Sequence, residues 1–67
     1  MITVTINGER REIPDGISLD SLLDFFSLPK QRTAVELNTT VVRRADWAAT
    51  LVRETDRVEV VHFVGGG

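Results

Sequence analysis

Three glycines, Gly65, Gly66 and Gly67, follow directly on an apolar segment at the carboxyl end of the given sequence. Glycine has no Cβ, so a run of glycines can enter a cleft that is too narrow for any side chain. The carboxylate at its end becomes an acyl donor once it is activated. We therefore expect residues 65–67 to form a flexible C-terminal glycine tail that enters another protein's active site. The alternative is a frayed terminus or a leftover expression tag.

The side chains offer little chemistry of their own. The chain has no cysteine, which excludes a thiolate metal site and a cysteine nucleophile. His62 is the only histidine, and without an identifiable nucleophile or acidic partner it is expected to be structural or solvent-facing. Asp20 and Asp24 have the spacing of two carboxylates on one helix face, which is more often a solvated face than an acid-base pair. We expect no catalytic residue and no metal site.

Composition excludes several classes of protein. A chain of 67 residues has one small core and no room for a buried cofactor pocket. The net charge is −2, and basic residues are adjacent only at Arg10-Arg11 and Arg43-Arg44, so nucleic acid is not an expected partner. No segment approaches the roughly 20 apolar residues of a membrane span, and the start lacks the pattern of a signal peptide. We expect a cytoplasmic protein with no membrane partner.

The first half of the chain predicts a hairpin followed by a helix. Residues 2–6 alternate between apolar and polar side chains, Asn7-Gly8 favours a tight turn, and Glu9 to Ile13 forms the returning strand. Ser18 is expected to cap a helix. The helix is predicted from apolar residues at helical spacing, Leu19, Leu22, Leu23 and Phe26, and Pro29 ends the pattern.

The second half predicts strands around a short helical turn. We expect strands at Thr33 to Asn38 and at Val41-Val42, and the last strand at Arg57 to Val64. Between them, we expect a helical turn from Ala45 to Leu51 in which Trp47 and Leu51 face inward. One helix between strands predicts an α+β roll of the β-grasp type, residues 1–64, in which a single main helix covers one face of a mixed sheet. The last strand is expected to be central and parallel to the first.

A docking patch is predicted beside the tail. In an alternating strand, Val61 and Phe63 lie on the face opposite Val58 and Val60. Exposed apolar side chains next to the tail are typical of a surface that binds a partner, and we assign Val61, Phe63 and Val64 to it. Cover by a local loop is the alternative.

Several segments resemble the sulfur carrier proteins of thiamine biosynthesis, the ubiquitin-like ThiS family. The matching segments are residues 2–9, Val35-Glu36-Leu37-Asn38, residues 42–47, residues 56–61 and the terminal Val64-Gly65-Gly66-Gly67. The resemblance implies that the carboxylate of Gly67 is adenylated and converted to a thiocarboxylate, which donates sulfur for thiazole formation. It also aligns Arg44 and Trp47 with the family's arginine and tryptophan. The chain departs from the family pattern at Asn38-Thr39, Arg43 and Glu54-Thr55-Asp56, mainly in the turns.

The same resemblance implies a set of partners. These are an E1-like activating enzyme that uses ATP and magnesium, a sulfur donor protein and a thiazole synthase, and the chain itself binds no cofactor. The sequence contains no phosphate-loop motif, so the chain is expected to be the acceptor in the ATP-dependent step. Three alternatives remain: a ubiquitin-like protein modifier, a sulfur carrier for molybdopterin or tRNA thiolation, and a passive β-grasp interaction module.

Overall fold

The computed structural model describes residues 1–63 of the chain. Within that range, five strands form one sheet and a single α-helix packs against it. In chain order the elements are β1 (Ile2–Ile6), β2 (Glu9–Ile13), α1 (Leu19–Phe25), β3 (Thr33–Leu37), β4 (Thr40–Val42), a 3-10 helix (Arg44–Ala49) and β5 (Arg57–His62). The predicted α+β architecture is confirmed.

The strand order in the sheet is β2-β1-β5-β3-β4. β5 runs parallel to β1 on one side and antiparallel to β3 on the other, so the last strand is central, as predicted. Because β1 and β5 are parallel, they finish at the same end of the sheet. The chain therefore leaves β5 beside the turn that joins β1 to β2.

Helix α1 is capped and buried as its sequence predicts. The hydroxyl oxygen of Ser18 accepts a hydrogen bond from the Ser21 backbone N–H at 3.1 Å, which satisfies one of the free donors in the first turn. Helix and sheet share one core. Its buried members are Val4, Ile6, Ile13, Leu19, Leu22, Leu23, Val35, Trp47, Val52 and Val58.

The prediction that Leu51 faces inward is wrong. The 3-10 helix ends at Ala49 and the chain is extended from Thr50, where the Thr50 carbonyl accepts from the Leu19 N–H at 2.9 Å. Successive side chains of extended backbone point to opposite sides. Leu51 is consequently 51% exposed, and Val52, at 2% exposure, takes the core position. The predicted burial of Trp47 is confirmed, also at 2%.

Of the turns whose second residue has positive φ, those at residues 7–8, 38–39 and 54–55 join strands or lead into one, and only the first has glycine at that position. Asn7 and Gly8 form the predicted hairpin turn with φ of 49° and 81°. Thr39 and Thr55 both have φ of 71°, a region that a β-branched side chain rarely adopts. Two of the segments that depart from the resemblance, Asn38-Thr39 and Glu54-Thr55-Asp56, thus contain a threonine in left-handed geometry and carry backbone strain.

Truncation of the buried helix face should unfold much of the population. Leu22 is fully buried, so Leu22→Ala should lower the free energy of unfolding by about 2–5 kcal/mol through lost transfer energy and a residual cavity. The exposed Leu51 provides the matched control, and Leu51→Ala should cost less than about 1 kcal/mol. Chemical denaturation of the two variants measures both values, and equal costs would show that the core is assigned incorrectly.

Relief of the strained turns should stabilise the protein. A left-handed conformation costs an ordinary L-residue about 1–2 kcal/mol, whereas the extra chain entropy of glycine costs about 0.5–1 kcal/mol. Thr39→Gly and Thr55→Gly should each raise the free energy of unfolding by roughly 0.5–1 kcal/mol. The control is Thr40→Gly, because Thr40 lies in β4 and glycine should weaken a strand. Thermal unfolding measures the three melting temperatures. If Thr40→Gly stabilises the protein as much as the other two variants, Thr39 and Thr55 are not strained.

Candidate functional site

The backbone at the end of β5 is held firmly on its β3 side. His62 pairs with Thr33, and beyond the strand the Phe63 N–H donates to the Arg32 carbonyl at 2.7 Å. The antiparallel pairing therefore continues to the last residue that the structure describes. Val64, Gly65, Gly66 and Gly67 lie outside the described residues, so the assignment of Gly67 as the reacting residue stays a prediction.

On the other side of β5, the side chain of Asn7 takes the place of a strand. Its Oδ1 accepts from the Val60 N–H at 2.7 Å, and its Nδ2 donates to the Val60 carbonyl at 3.2 Å. The Asn7 N–H also donates to the Val58 carbonyl at 2.9 Å. A carboxamide carries one donor and one acceptor in the same arrangement as a peptide group. The sequence analysis predicted Asn7 only as a turn residue and missed its pairing with the backbone of Val60. An Asn-Gly pair indicates a turn but does not indicate where the asparagine side chain binds.

The predicted alternation of β5 is confirmed. Val58 is buried and Val60 half-buried on the helix side, whereas Val61 and Phe63 are 52% and 57% exposed. His62 is also exposed. The two apolar side chains are therefore free to contact another molecule within a few residues of the glycines. Their role in docking a partner stays a prediction.

Two carboxylates lie next to this apolar pair on the outer face of the sheet. Glu36 of β3 is directly opposite Glu59 of β5, two residue pairs along the ladder from Ala34 and Val61 and therefore on the same face. Like charges directly opposite each other destabilise a sheet. Among the ion pairs found in residues 1–63, none involves either glutamate. The outer face thus offers apolar and negatively charged groups side by side at the end where the chain leaves β5.

Asp20 and Asp24 share a helix face, as predicted, but they do not form a bare carboxylate pair. The Lys30 Nζ lies 3.2 Å from Asp20 Oδ1 and 2.9 Å from Asp24 Oδ2. The hydrogen bond to Asp24 raises the pKa of the Lys30 amine; partial desolvation lowers it, and Asp20 raises it further, so the net shift is upward. Lys30 lies beyond Pro29, outside the helix, so helical spacing could not have identified it.

Trp47 is fixed by its polar edge as well as by packing. Its Nε1–H donates to the Val42 carbonyl at 2.9 Å, and the guanidinium carbon of Arg44 lies 6.0 Å from the ring centroid. The distance is at the outer limit of a cation–π contact. Trp47 is thus a member of the core, and the exposed Arg44 lies at the edge of that core next to it.

An open cleft of about 270 Å³ lies between the hairpin and the end of α1. Its lining is Ile6, Asn7, Glu9, Arg11, Phe26 and Leu28. The Arg11 guanidinium at its rim is paired with Glu9 at 2.5 Å. Within residues 1–63, no group of three or more metal-ligating side chains comes together, and no helix in this range is long and apolar enough to cross a membrane.

Comparison with known proteins gives a consistent result. The model of the ThiS family matches residues 4–67. A thiazole synthase from Magnetococcus marinus is 39% identical over 64 residues, which are 96% of this chain but 20% of that protein. The chain thus spans about a fifth of that relative's length. An uncharacterized protein, ycf40, from Pyropia yezoensis is 36% identical over 98% of this chain and 93% of its own.

A solved structure agrees with the fold. The crystal structure of the thiamine biosynthesis protein ThiS from Geobacter metallireducens superposes with a TM-score of 0.86 at 30% identity, covering 98% of this chain and all of that one. The predicted β-grasp fold is thereby confirmed.

Proposed function

The chain belongs to the ThiS family, and from this we propose that its terminal glycine, Gly67, is adenylated and then converted to a thiocarboxylate that donates sulfur for thiazole formation in thiamine biosynthesis. Membership of the family supports the role of sulfur carrier. The observation that carries the proposal is the family match through residue 67, where it includes the glycines that follow the exposed end of β5. The chain acts as a co-substrate of its partners and not as a catalyst.

The proposed chemistry starts from the poor reactivity of a carboxylate. A carboxylate oxygen of Gly67 attacks the α-phosphorus of ATP, pyrophosphate leaves, and the product is an acyl adenylate. The persulfide of the sulfur donor then attacks the carbonyl carbon, and AMP leaves with the bonding electrons to give an acyl disulfide. A second thiol attacks the donor's sulfur, the S–S bond breaks, and the thiocarboxylate leaves with the electron pair while a disulfide forms between the two thiols. The activating partner supplies the ATP site and magnesium. This chain supplies a carboxylate on a segment without side chains.

The outer face of the sheet supports the proposal by offering a surface that can hold the tail in register. Val61 and Phe63 are exposed, and the pair Glu36 and Glu59 lies beside them. An activating enzyme with an apolar pocket rimmed by basic residues would complement both features. Docking at this end of the sheet leaves only a few residues between the contact and the reacting carboxylate, which favours precise delivery.

A thiazole synthase is the proposed acceptor. This chain is similar to about a fifth of a thiazole synthase. In that protein, a sequence like this one therefore belongs to the same polypeptide as the thiazole synthase, which supports an enzyme of this kind as the partner. We propose that the separate chain delivers its sulfur to an enzyme of that kind in the cytoplasm.

Removal of the terminal glycine should abolish activation without unfolding the domain. Deletion of Gly67 withdraws the carboxylate by ~3.5 Å, and Gly66→Val adds a β-branched side chain to a segment that must pass a narrow channel. A displacement of ~1 Å can cost ~100-fold in a positioned reaction, so ATP–pyrophosphate exchange with the activating enzyme should fall by at least that factor.

The melting temperature provides the control for the tail variants, since terminal residues contribute little to stability and both variants should melt like the wild type. Exchange at the wild-type rate in both variants would show that Gly67 is not the reacting residue. Intact mass after incubation with ATP and a sulfur donor then identifies the product, which should be a thiocarboxylate on the unconjugated chain.

A charge on the docking patch should weaken binding of the activating enzyme. Phe63→Asp places a carboxylate in an interface core, where desolvation opposes it, and binding should weaken at least about tenfold. Phe25→Asp is the matched control, because Phe25 is 50% exposed but lies on α1, away from the outer face. Titration calorimetry gives both affinities. Equal affinities for the two variants would remove the patch from the proposal, and circular dichroism checks that both remain folded.

A further inference from the structure

Lys30 is the only lysine in the chain, and it is close to the end from which the tail departs. The Phe63 N–H donates to Arg32, two residues after Lys30. The Thr33 hydroxyl donates to the Pro29 carbonyl at 2.8 Å, which closes the turn that contains Lys30. The four residues that follow Phe63 can span at most about 14 Å. The carboxyl group of Gly67 can therefore reach the neighbourhood of the Lys30 backbone.

The other amine of the chain lies far from this place. Met1 precedes β1, and because β5 is parallel to β1, the amino terminus lies at the opposite end of the sheet. Five residues of strand separate the two ends by roughly 16 Å. Lys30 is thus the amine that an activated Gly67 would meet first within its own chain.

An activated carboxyl group acylates an unprotonated amine that comes close to it. The free amine of Lys30 can attack the carbonyl carbon of the adenylate, a C–N bond forms, the bond to the AMP oxygen breaks, and AMP leaves with the electron pair while the nitrogen releases a proton to solvent. The ring-closed product is lighter than the carrier by one water molecule and cannot accept sulfur. Because both groups belong to one chain, their effective concentration is high.

The ion pairs of Lys30 oppose this reaction in two ways. The amine lies against Asp24 and Asp20, which precede the end of α1 along the helix, whereas Phe26 beyond that end lines the same cleft as Asn7. The same contacts favour the protonated amine, which has no lone pair for attack, in agreement with the raised pKa of Lys30. Partial shielding adds to this, since 29% of the lysine side chain is exposed.

We propose that Asp20 and Asp24 hold the amine of Lys30 away from the activated carboxyl group of Gly67 and so prevent the carrier from acylating itself. This inference rests on the proposed function, because the hazard arises only if Gly67 is activated. The proposed role of Asp20 and Asp24 differs from both earlier interpretations, an acid-base pair and a solvated helix face. It also opposes the self-linked chains that a protein modifier would build through its only lysine.

The test uses the full chain with a thioester at Gly67, prepared by intein cleavage, so neither ATP nor an activating enzyme is needed. Attack by Lys30 on the thioester carbonyl releases the thiol and closes the ring, which intact mass follows over time. The double variant Asp20→Asn/Asp24→Asn should close about two- to fivefold faster than the wild type, the range expected from loss of exposed ion pairs. Rates that do not change on dilution identify closure within one chain.

Two control variants separate the mechanism from general charge effects. Glu12→Gln/Asp15→Asn changes the net charge equally at residues that make no ion pair with Lys30 in the described structure, and it should close at the wild-type rate. Lys30→Arg added to the Asp20 and Asp24 variant should abolish closure. A variant without Asp20 and Asp24 that closes no faster than the wild type overturns the proposal. Pyrophosphate exchange tests the proposed function separately, so either idea can fail alone.

Discussion

The parallel pairing of β1 with β5 is the contact on which the rest of this small domain depends. Its ladder is short, with Thr5 opposite Arg57 and Ile6 opposite Val58, and it is extended by the Asn7 side chain. Because the pairing is parallel, the intervening chain must cross the sheet, and α1 covers the inner face as it does so. The same pairing fixes the end of the sheet at which the terminal residues leave.

Features that arise from local periodicity could be predicted from the sequence. Alternation in the first strand, with the Asn7-Gly8 turn, predicted the hairpin, and alternation in β5 predicted the exposure of Val61 and Phe63, because a strand with one buried face has a period of two. The central place of β5 was predicted from its near-continuous apolar run. The Ser18 cap and the buried leucines of α1 follow in the same way from helical spacing. The chemistry assigned to the glycines depends on family resemblance, since three glycines alone are equally typical of an inert terminus.

Features that depend on contacts between distant segments could not be predicted. Val52 takes the buried position that was predicted for Leu51, because the chain after Thr50 is extended against Ile17 and Leu19, which no local pattern reveals. Lys30 meets both aspartates from beyond the helix. These contacts need a folded tertiary arrangement before they exist.

The burial of Trp47, the only tryptophan in a chain without tyrosine, makes the protein its own fluorescent reporter. Its indole is hydrogen-bonded to Val42 inside the core, so its emission is that of a shielded indole and moves to longer wavelength when water enters. The outer face that carries Val61 and Phe63 is separated from it by the sheet. Emission therefore follows the state of the fold and is insensitive to a quencher or partner on that face, which allows folding and association to be measured separately in one sample without a label.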